Sequence, residues 1–587
     1  MTPRQLWRLW NVRPPLSASP MAAAACRIAV SAALLISQLF RENYAELRHA
    51  AAAMPYDPIG ILFYLFRHVP PSLALVEWVR VAALISTTLT LVGLLTRPML
   101  VVSFVSSWFL AAMFYSYAGG WSHEYNGMLL VQLVLFVAPC GRALSVDAWL
   151  ARRRGKSPRP LSVAECNVPV FAAQFMIAWM FFNAFCYKTL VGGEAWWRSD
   201  NLRNILAFQW LAGGEVTPPW VQLVANHAAL YHTFALASMT AQGAMLLSLI
   251  FFRWPYRRAL FGAGFVIETL GLGFMMSRWD ISPLNPHWLV LYAVFVDWNY
   301  FFSMRDRASA PVDEPAARLP AARRSIAAAA WAWPVTLIAV EFVVSFATAG
   351  RLPPATYPFT PYPMYSRLYG KVLMPGHQSF EFLGPRFTSA DTDLSLGTKQ
   401  ANVAYSGNFY ATEDADLAGV SGRLIQAQRT LANDGGSPPS LALLQTIYTV
   451  PAYPSPINPS VLTEGVRGML SRDGTFVGVS SKVSRTSSGD ATIVFTAQNV
   501  DLASAPTVLA LPIDYRGIKT LGRVHSKTIY GVGAPVELHG DWVGDTFRTR
   551  DLAHGAYIIA LRATPRAGPG AQAPQPTVFF TSPIVEL

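Results

Sequence analysis

The chain has 587 residues, of which 52% are hydrophobic and 14% charged, and its formal net charge is +12. Soluble domains carry roughly 25% charged residues, so a soluble globular protein of this size is excluded. The positive balance does not imply nucleic-acid binding, because the basic residues fall between apolar segments, as in membrane proteins. Cys26, Cys140, Cys166 and Cys186 all lie in the first third, and no pair has CxxC spacing. Neither a disulfide framework after residue 350 nor a structural zinc or other metal site is expected.

In chain order, the basic start MTPRQLWRLWNVRPP reads as a cytoplasmic lead into an uncleaved first span. Apolar runs of about the length a bilayer needs then predict nine spans. They fall at 25–45, 73–95, 98–118, 125–142, 168–189, 227–251, 259–277, 285–303 and 326–349. The stretch 46–72 reads as a re-entrant or interfacial helix. Nine spans put the N-terminus inside and the C-terminus outside. Segments then assigned inside hold 19 Lys+Arg and those outside hold seven with Lys188 left aside, as the positive-inside rule asks.

The expected organisation is a transmembrane bundle over 1–303, a polar Pro/Ala-rich cytoplasmic linker over 304–325 and a last helix over 326–349. An interfacial and mixed extracytoplasmic segment follows over 350–450. Prolines in RLPPATYPFTPYP forbid a regular helix there, and 414–434 has helical spacing with Gly435-Gly436 as a stop. From 451 to 587, runs rich in Val, Ile, Thr and Phe between turn residues predict a β-rich, sandwich-like domain. The fold class is therefore a polytopic α-helical membrane protein with an extracytoplasmic β-rich domain, in a bacterial inner membrane.

One residue stands apart. Residues 1–349 contain 25 arginines and two lysines. Lys156 sits in the loop RRRGKSPR, where any cation serves. Lys188 ends the apolar helix FAAQFMIAWMFFNAFCYK, ahead of Gly192-Gly193 and Trp196-Trp197. A lysine in an apolar pocket can give up its proton, whereas an arginine cannot. The competing reading is a snorkelling lysine with interfacial tryptophans. A second feature is GGWSHEYNGMLL (119–130), where His123 beside Glu124 suits an acid–base pair, or equally a solvated interfacial histidine. In CGRALSVDAWL (140–150), Ser145 and Asp147 read as a structural helix-capping turn.

Taken together, Arg27, LTLVGLLTRP (89–98), WSHEYNGMLL (121–130), GRALSVDAW (141–149) and YKTLVGGEAWW (187–197) resemble the vitamin K-dependent γ-glutamyl carboxylases. The resemblance extends to their bacterial relatives with an HTTM (horizontally transferred transmembrane) domain, and covers roughly residues 20–303. It implies a defined chemistry. A lysine matching Lys188 deprotonates a reduced vitamin K or menaquinol-type naphthoquinol, which reacts with O2. The strong base so formed removes a γ-proton from a peptide glutamate, CO2 adds, and the quinone leaves as its epoxide. A histidine matching His123 assists, and Tyr187, Trp196, Trp197 and Glu268 are the expected cofactor-binding residues. The acceptor would be a secreted or envelope protein or peptide. In two respects the chain departs from that family: where the carboxylases carry a histidine in a late span, FVIETLGLGFMM (265–276) offers Glu268, and the tail from 350 onward shows no match to their lumenal domain. A buried glutamate serves equally as a structural carboxyl.

Two other functions compete. The bundle could be a non-catalytic membrane scaffold that presents the C-terminal domain to a partner. A transporter would require internal repeats or paired broken helices, which the sequence does not show.

Overall fold

A computed structural model describes residues 19–40, 56, 58–116, 125–156, 159–212, 217–246, 275, 293–296, 298, 321–347 and 354–359 of the helical part. Beyond these it describes 372–373, 379–383, 389–394, 417–432, 440–449, 453–457, 460–485, 490–520, 523–532, 534–566, 576–581 and 585–586.

The first apolar run condenses into helix α1 (Met21–Phe40). After a short helix α2 (Ile61–Leu65) comes α3 (Leu73–Val92), which starts on the Ser72 side chain and stops at Gly93. Gly93 has φ 73°, the left-handed cap that glycine adopts without a Cβ penalty. Helix α4 (Thr96–Tyr115) follows at once and packs back along α3. Helix α5 (Asn126–Leu135) has only 10 residues, about half the length predicted for that segment. Its continuation is stopped by a run of turns around Pro139, which has no N–H to give a helix. Helix α6 (Val146–Arg153) leads to α7 (Val163–Tyr187), which opens with a capping box between Ser162 and Glu165. Among the described residues, four helical segments, Met21–Leu39, Leu73–Val92, Thr96–Tyr115 and Val163–Leu190, are long and apolar enough to cross a membrane.

Between residues 190 and 226, where no span is expected, the chain builds a helical cap of α8 (Ala195–Arg198), α9 (Asn201–Ala212) and α10 (Pro219–Ala225). With α11 (Ala228–Ala244) these enclose a separate core around Trp196, Ile205, Val221 and Tyr231. Helix α12 (Ala321–Ala347) packs along α7 through stacked Trp179 and Phe342, whose ring centroids are 4.0 Å apart. The predicted spans 259–277 and 285–303 lie almost wholly outside the described residues.

The C-terminal part is β-rich and, among the described residues, holds one helix, α13 (Leu417–Ala432), at the position its spacing predicts. Its early strands are β1 (Val372–Leu373), β2 (Ser379–Leu383), β3 (Ser389–Leu394), β4 (Ser440–Thr449) and β5 (Ser460–Leu470). The middle of the domain holds β6 (Phe476–Arg485), β7 (Ala491–Gln498), β8 (Thr507–Thr520), β9 (Arg523–Val532) and β10 (Val536–Glu537). The last are β11 (Gly540–Val543), β12 (Thr546–Thr549), β13 (Ala556–Ala563), β14 (Thr577–Phe580) and β15 (Val585–Glu586). They follow the order β10-β8-β13-β14-β5-β6-β7-β12-β11, with β1 to β4 branching from β5 through β4. Since β4 pairs antiparallel with β5, the strands on either side of residue 450 belong to one sheet.

Strand β6 pairs with β5 only at Phe476 and Val477 and then runs along β7, so the sheet bends there. The bend brings Val466, Ile493, Phe495, Phe547 and Leu561 into one core. Alternate residues of β8 and β13 (Leu509, Leu511, Ile558, Ala560) pack on the opposite face, as a two-residue side-chain period requires.

Two short segments lock this domain to the helices. At Pro354–Thr356 the chain makes a single 3-10 turn, and Tyr357 O then accepts from Trp108 Nε1 (3.1 Å) while Pro358 O accepts from Asn126 Nδ2 (2.5 Å). Farther on, Ile457 is buried in the core of the helical cap, its N–H donating to Asn226 Oδ1 at 3.0 Å. Fully buried Arg203 donates to Ser455 O at 2.8 Å and to Ala225 O at 3.2 Å. The C-terminal ends of α4 and α7 thus share the end of the bundle that carries the β domain.

Candidate functional site

Lys188 sits where α7 stops being regular. The helix widens over Lys188–Gly192 into a single π turn that ends on Gly193 at φ 55°. Such one-turn widenings recur at functional sites, because the extra residue re-aims a side chain that an α-helix would leave on its surface. Here the lysine is turned inward and is 3% exposed. Its Nζ donates to Gln242 Oε1 of α11 at 2.9 Å and lies 4.7 Å from the centroid of the Trp196 ring. The face of a Trp ring attracts an ammonium, and an amide oxygen accepts a hydrogen bond from one of its three N–H groups. Strand β8 passes against the same turn, so the β domain reaches the segment that carries this amine.

The other residues singled out in the sequence divide. Trp196 is buried against Lys188. Trp197 is half-buried on the same short helix, and its carbonyl accepts from His232 Nδ1 at 2.7 Å. Tyr187 points to a different neighbour, its hydroxyl donating to Ser345 O of α12 at 2.9 Å. Ser345 Oγ also accepts from Asn183 Nδ2 (2.8 Å) and Trp179 Nε1 (3.1 Å), so this tyrosine belongs to a polar seam between α7 and α12. His123 and Glu268 lie outside the described residues. Lys188 and Trp196 are therefore brought together, while Tyr187 serves the packing of α12.

Sequence reasoning passed over Gln242, Ser345 and Glu341. Glu341 is fully buried one turn before Ser345 on α12. Each is a polar residue inside an apolar helical run, and that is the signal which marks them. Among the described residues, no group of three or more His, Cys, Asp or Glu could hold a metal ion.

The motifs at the opposite end converge as well, on a clasp. Arg27, fully buried, donates to Cys140 O at 2.7 Å and to Leu144 O at 2.6 Å. A Cβ on Gly93 would run into both Ser145 Cβ and the Arg27 guanidinium. Ser145 caps α6 by accepting from Ala148 N at 3.0 Å. Asp147 reaches out of α6 to cap α4, accepting from Leu95 N (2.9 Å), Thr96 N (2.8 Å) and Thr96 Oγ1 (2.8 Å). A carboxylate on exposed N–H groups at a helix start satisfies them and the helix dipole together.

Fold and site define a membrane-associated helical protein that carries a β-rich domain and buries the amine of Lys188. No protein-family model, curated protein or solved structure matches the chain.

Proposed function

We propose that this chain is an integral-membrane enzyme of the vitamin K quinol-dependent γ-glutamyl carboxylase type, with Lys188 as the base that accepts the quinol proton. The observation that carries the reading is the enclosed amine of Lys188, held in a π turn between Gln242 and the Trp196 ring. This set fits a naphthoquinol: an indole face for an aromatic ring, and a base beside an amide oxygen for a phenolic hydroxyl. When bound, the quinol supplies the reducing electrons with which O2 is converted to epoxide oxygen and water. Lys188 takes and returns a proton at Nζ, Gln242 fixes its direction, and the packed helices keep water from the reacting groups. His123 is proposed to assist, with Trp197 and Glu268 near the cofactor. Nine spans in a bacterial inner membrane would place the β-rich domain outside the cell membrane, where a secreted or envelope peptide supplies the glutamate and CO2 adds.

The test supplies purified protein in lipid nanodiscs with vitamin K hydroquinone, O2, bicarbonate and a glutamate peptide, and follows epoxide by chromatography. Wild-type protein is expected to form epoxide and Lys188→Ala to form none. No epoxide with wild type, or equal yields from both, sinks the reading.

A second reading has its own support in the docking of residues 354–359 and 453–457 onto the helices, which suits a scaffold that presents the β domain to a partner. It predicts that Lys188→Ala preserves the cellular phenotype while deletion of 372–587 abolishes it.

A further inference from the structure

Helices α1, α3, α4 and α5 enclose a line of side chains whose polar atoms are not all used. Arg27, Ser31, Asn126, Gln132 and Gln38 are each at most 1% exposed. Arg27 Nε, Ser31 Oγ, Asn126 Oδ1, Gln132 Oε1 and Gln38 Oε1 nevertheless have no hydrogen-bond partner among the described residues. Helical geometry places three of them in one file. Arg27, Ser31 and Gln38 are spaced i, i+4, i+11 on α1, one stripe about 16 Å long. The same stripe carries Leu34 between Ser31 and Gln38, and at that level other helices supply the polar groups. Gln38 donates to Ser107 Oγ (3.0 Å). One turn deeper on α4, Ser103 Oγ receives Gln132 Nε2 (3.1 Å) and bonds Thr87 Oγ1 (2.8 Å). Asn126 closes the line at the β-domain end through Pro358, and Arg27 closes it at the clasp.

We infer that this seam holds a file of internal water. An orphaned buried polar group costs about 1–3 kcal/mol, and five of them would take about 5–15 kcal/mol, as much as the whole net stability of a typical domain. Water removes that cost, since it makes two to four hydrogen bonds to such groups. The chemistry also selects water over an ion. Arg27 offers a donor, the amides offer acceptors and Ser31 offers both, so the occupant must donate and accept. Turning either glutamine amide by half a turn exchanges an unused acceptor for an unused donor, which water satisfies equally. The guanidinium at one end opposes any cation.

The test is X-ray hydroxyl-radical labelling of the full chain in lipid nanodiscs, where radicals arise from water in place. Met128 shares a helical stripe with Gln132 and is fully buried, and Met469 is buried in the β-domain core. Met128 is expected to oxidise several-fold faster than Met469, and equal rates overturn the inference. In the double variant Gln38→Leu, Gln132→Leu the Met128 rate is expected to fall to that of Met469. An unchanged rate in a folded double variant would also overturn it, and the wild-type ratio stands as a test on its own.

Discussion

The two ends of the helical bundle each bury a cation, and they do so by opposite means. At one end Arg27 lies inside a frame of backbone: it donates to two loop carbonyls, and Gly93 leaves the space its guanidinium needs. At the other end Lys188 stands in an irregular turn, held by a side-chain amide and the face of a ring. Arginine keeps its charge under all conditions and offers a fixed fork of donors, which suits a permanent joint between loops. An ammonium is a compact charge that can lose its proton, and an amide tolerates either state. The difference teaches that a buried cation can be framed by backbone or by side chains, and that the two frames answer differently to substitution.

Substitution can break that contrast. The largest effect is expected from Arg27→Met, which strands the buried Cys140 carbonyl and loosens the partly exposed Leu144 loop, and should cost about 3 kcal/mol, read as a lowered unfolding midpoint in detergent. A wild-type midpoint would show that the clasp contributes nothing. Asp147→Ala removes the cap of α4 and should cost about 1–2 kcal/mol, with faster hydrogen exchange confined to the first turn of that helix. Lys188→Met should cost about 1 kcal/mol or less, because the loss of the bond to Gln242 is offset by relief of a buried amine. Epoxide formation should nonetheless vanish, and a destabilisation as large as that of Arg27→Met would make Lys188 a second structural joint.

The smallest effect lies in the β domain. The Ser471 hydroxyl, and after it the Thr475 N–H, hold the exposed Asp473 carboxyl below the ordinary aspartate range. With the folded value below the unfolded one, its contribution is fully present above about pH 4 and is lost as pH falls through the folded value. Solvent keeps this contribution small. Asp473→Asn should lower the midpoint slightly at neutral pH and match wild type in strong acid.

What the sequence determined by itself was local. Among the described residues, hydropathy placed the apolar helices and β-branched runs between turns placed the later strands, while the scarcity of lysine pointed to Lys188. Prolines at 353–363 forecast the irregular segment that docks on Trp108. The short strands β1 to β3 were not legible, since SFEFL and SADTDL acquire their meaning only from pairing, β2 on β4 and β3 on β2. Gln242 was silent for a similar reason: a glutamine in an apolar run says that something polar is nearby, and not which turn of which helix it meets. Asp147 was read as part of its own turn, yet it caps a helix whose first residues lie some fifty positions earlier. Tertiary structure alone decided these partnerships, because a side chain's period along the chain fixes the face it occupies, while the group opposite that face is set by how distant helices pack.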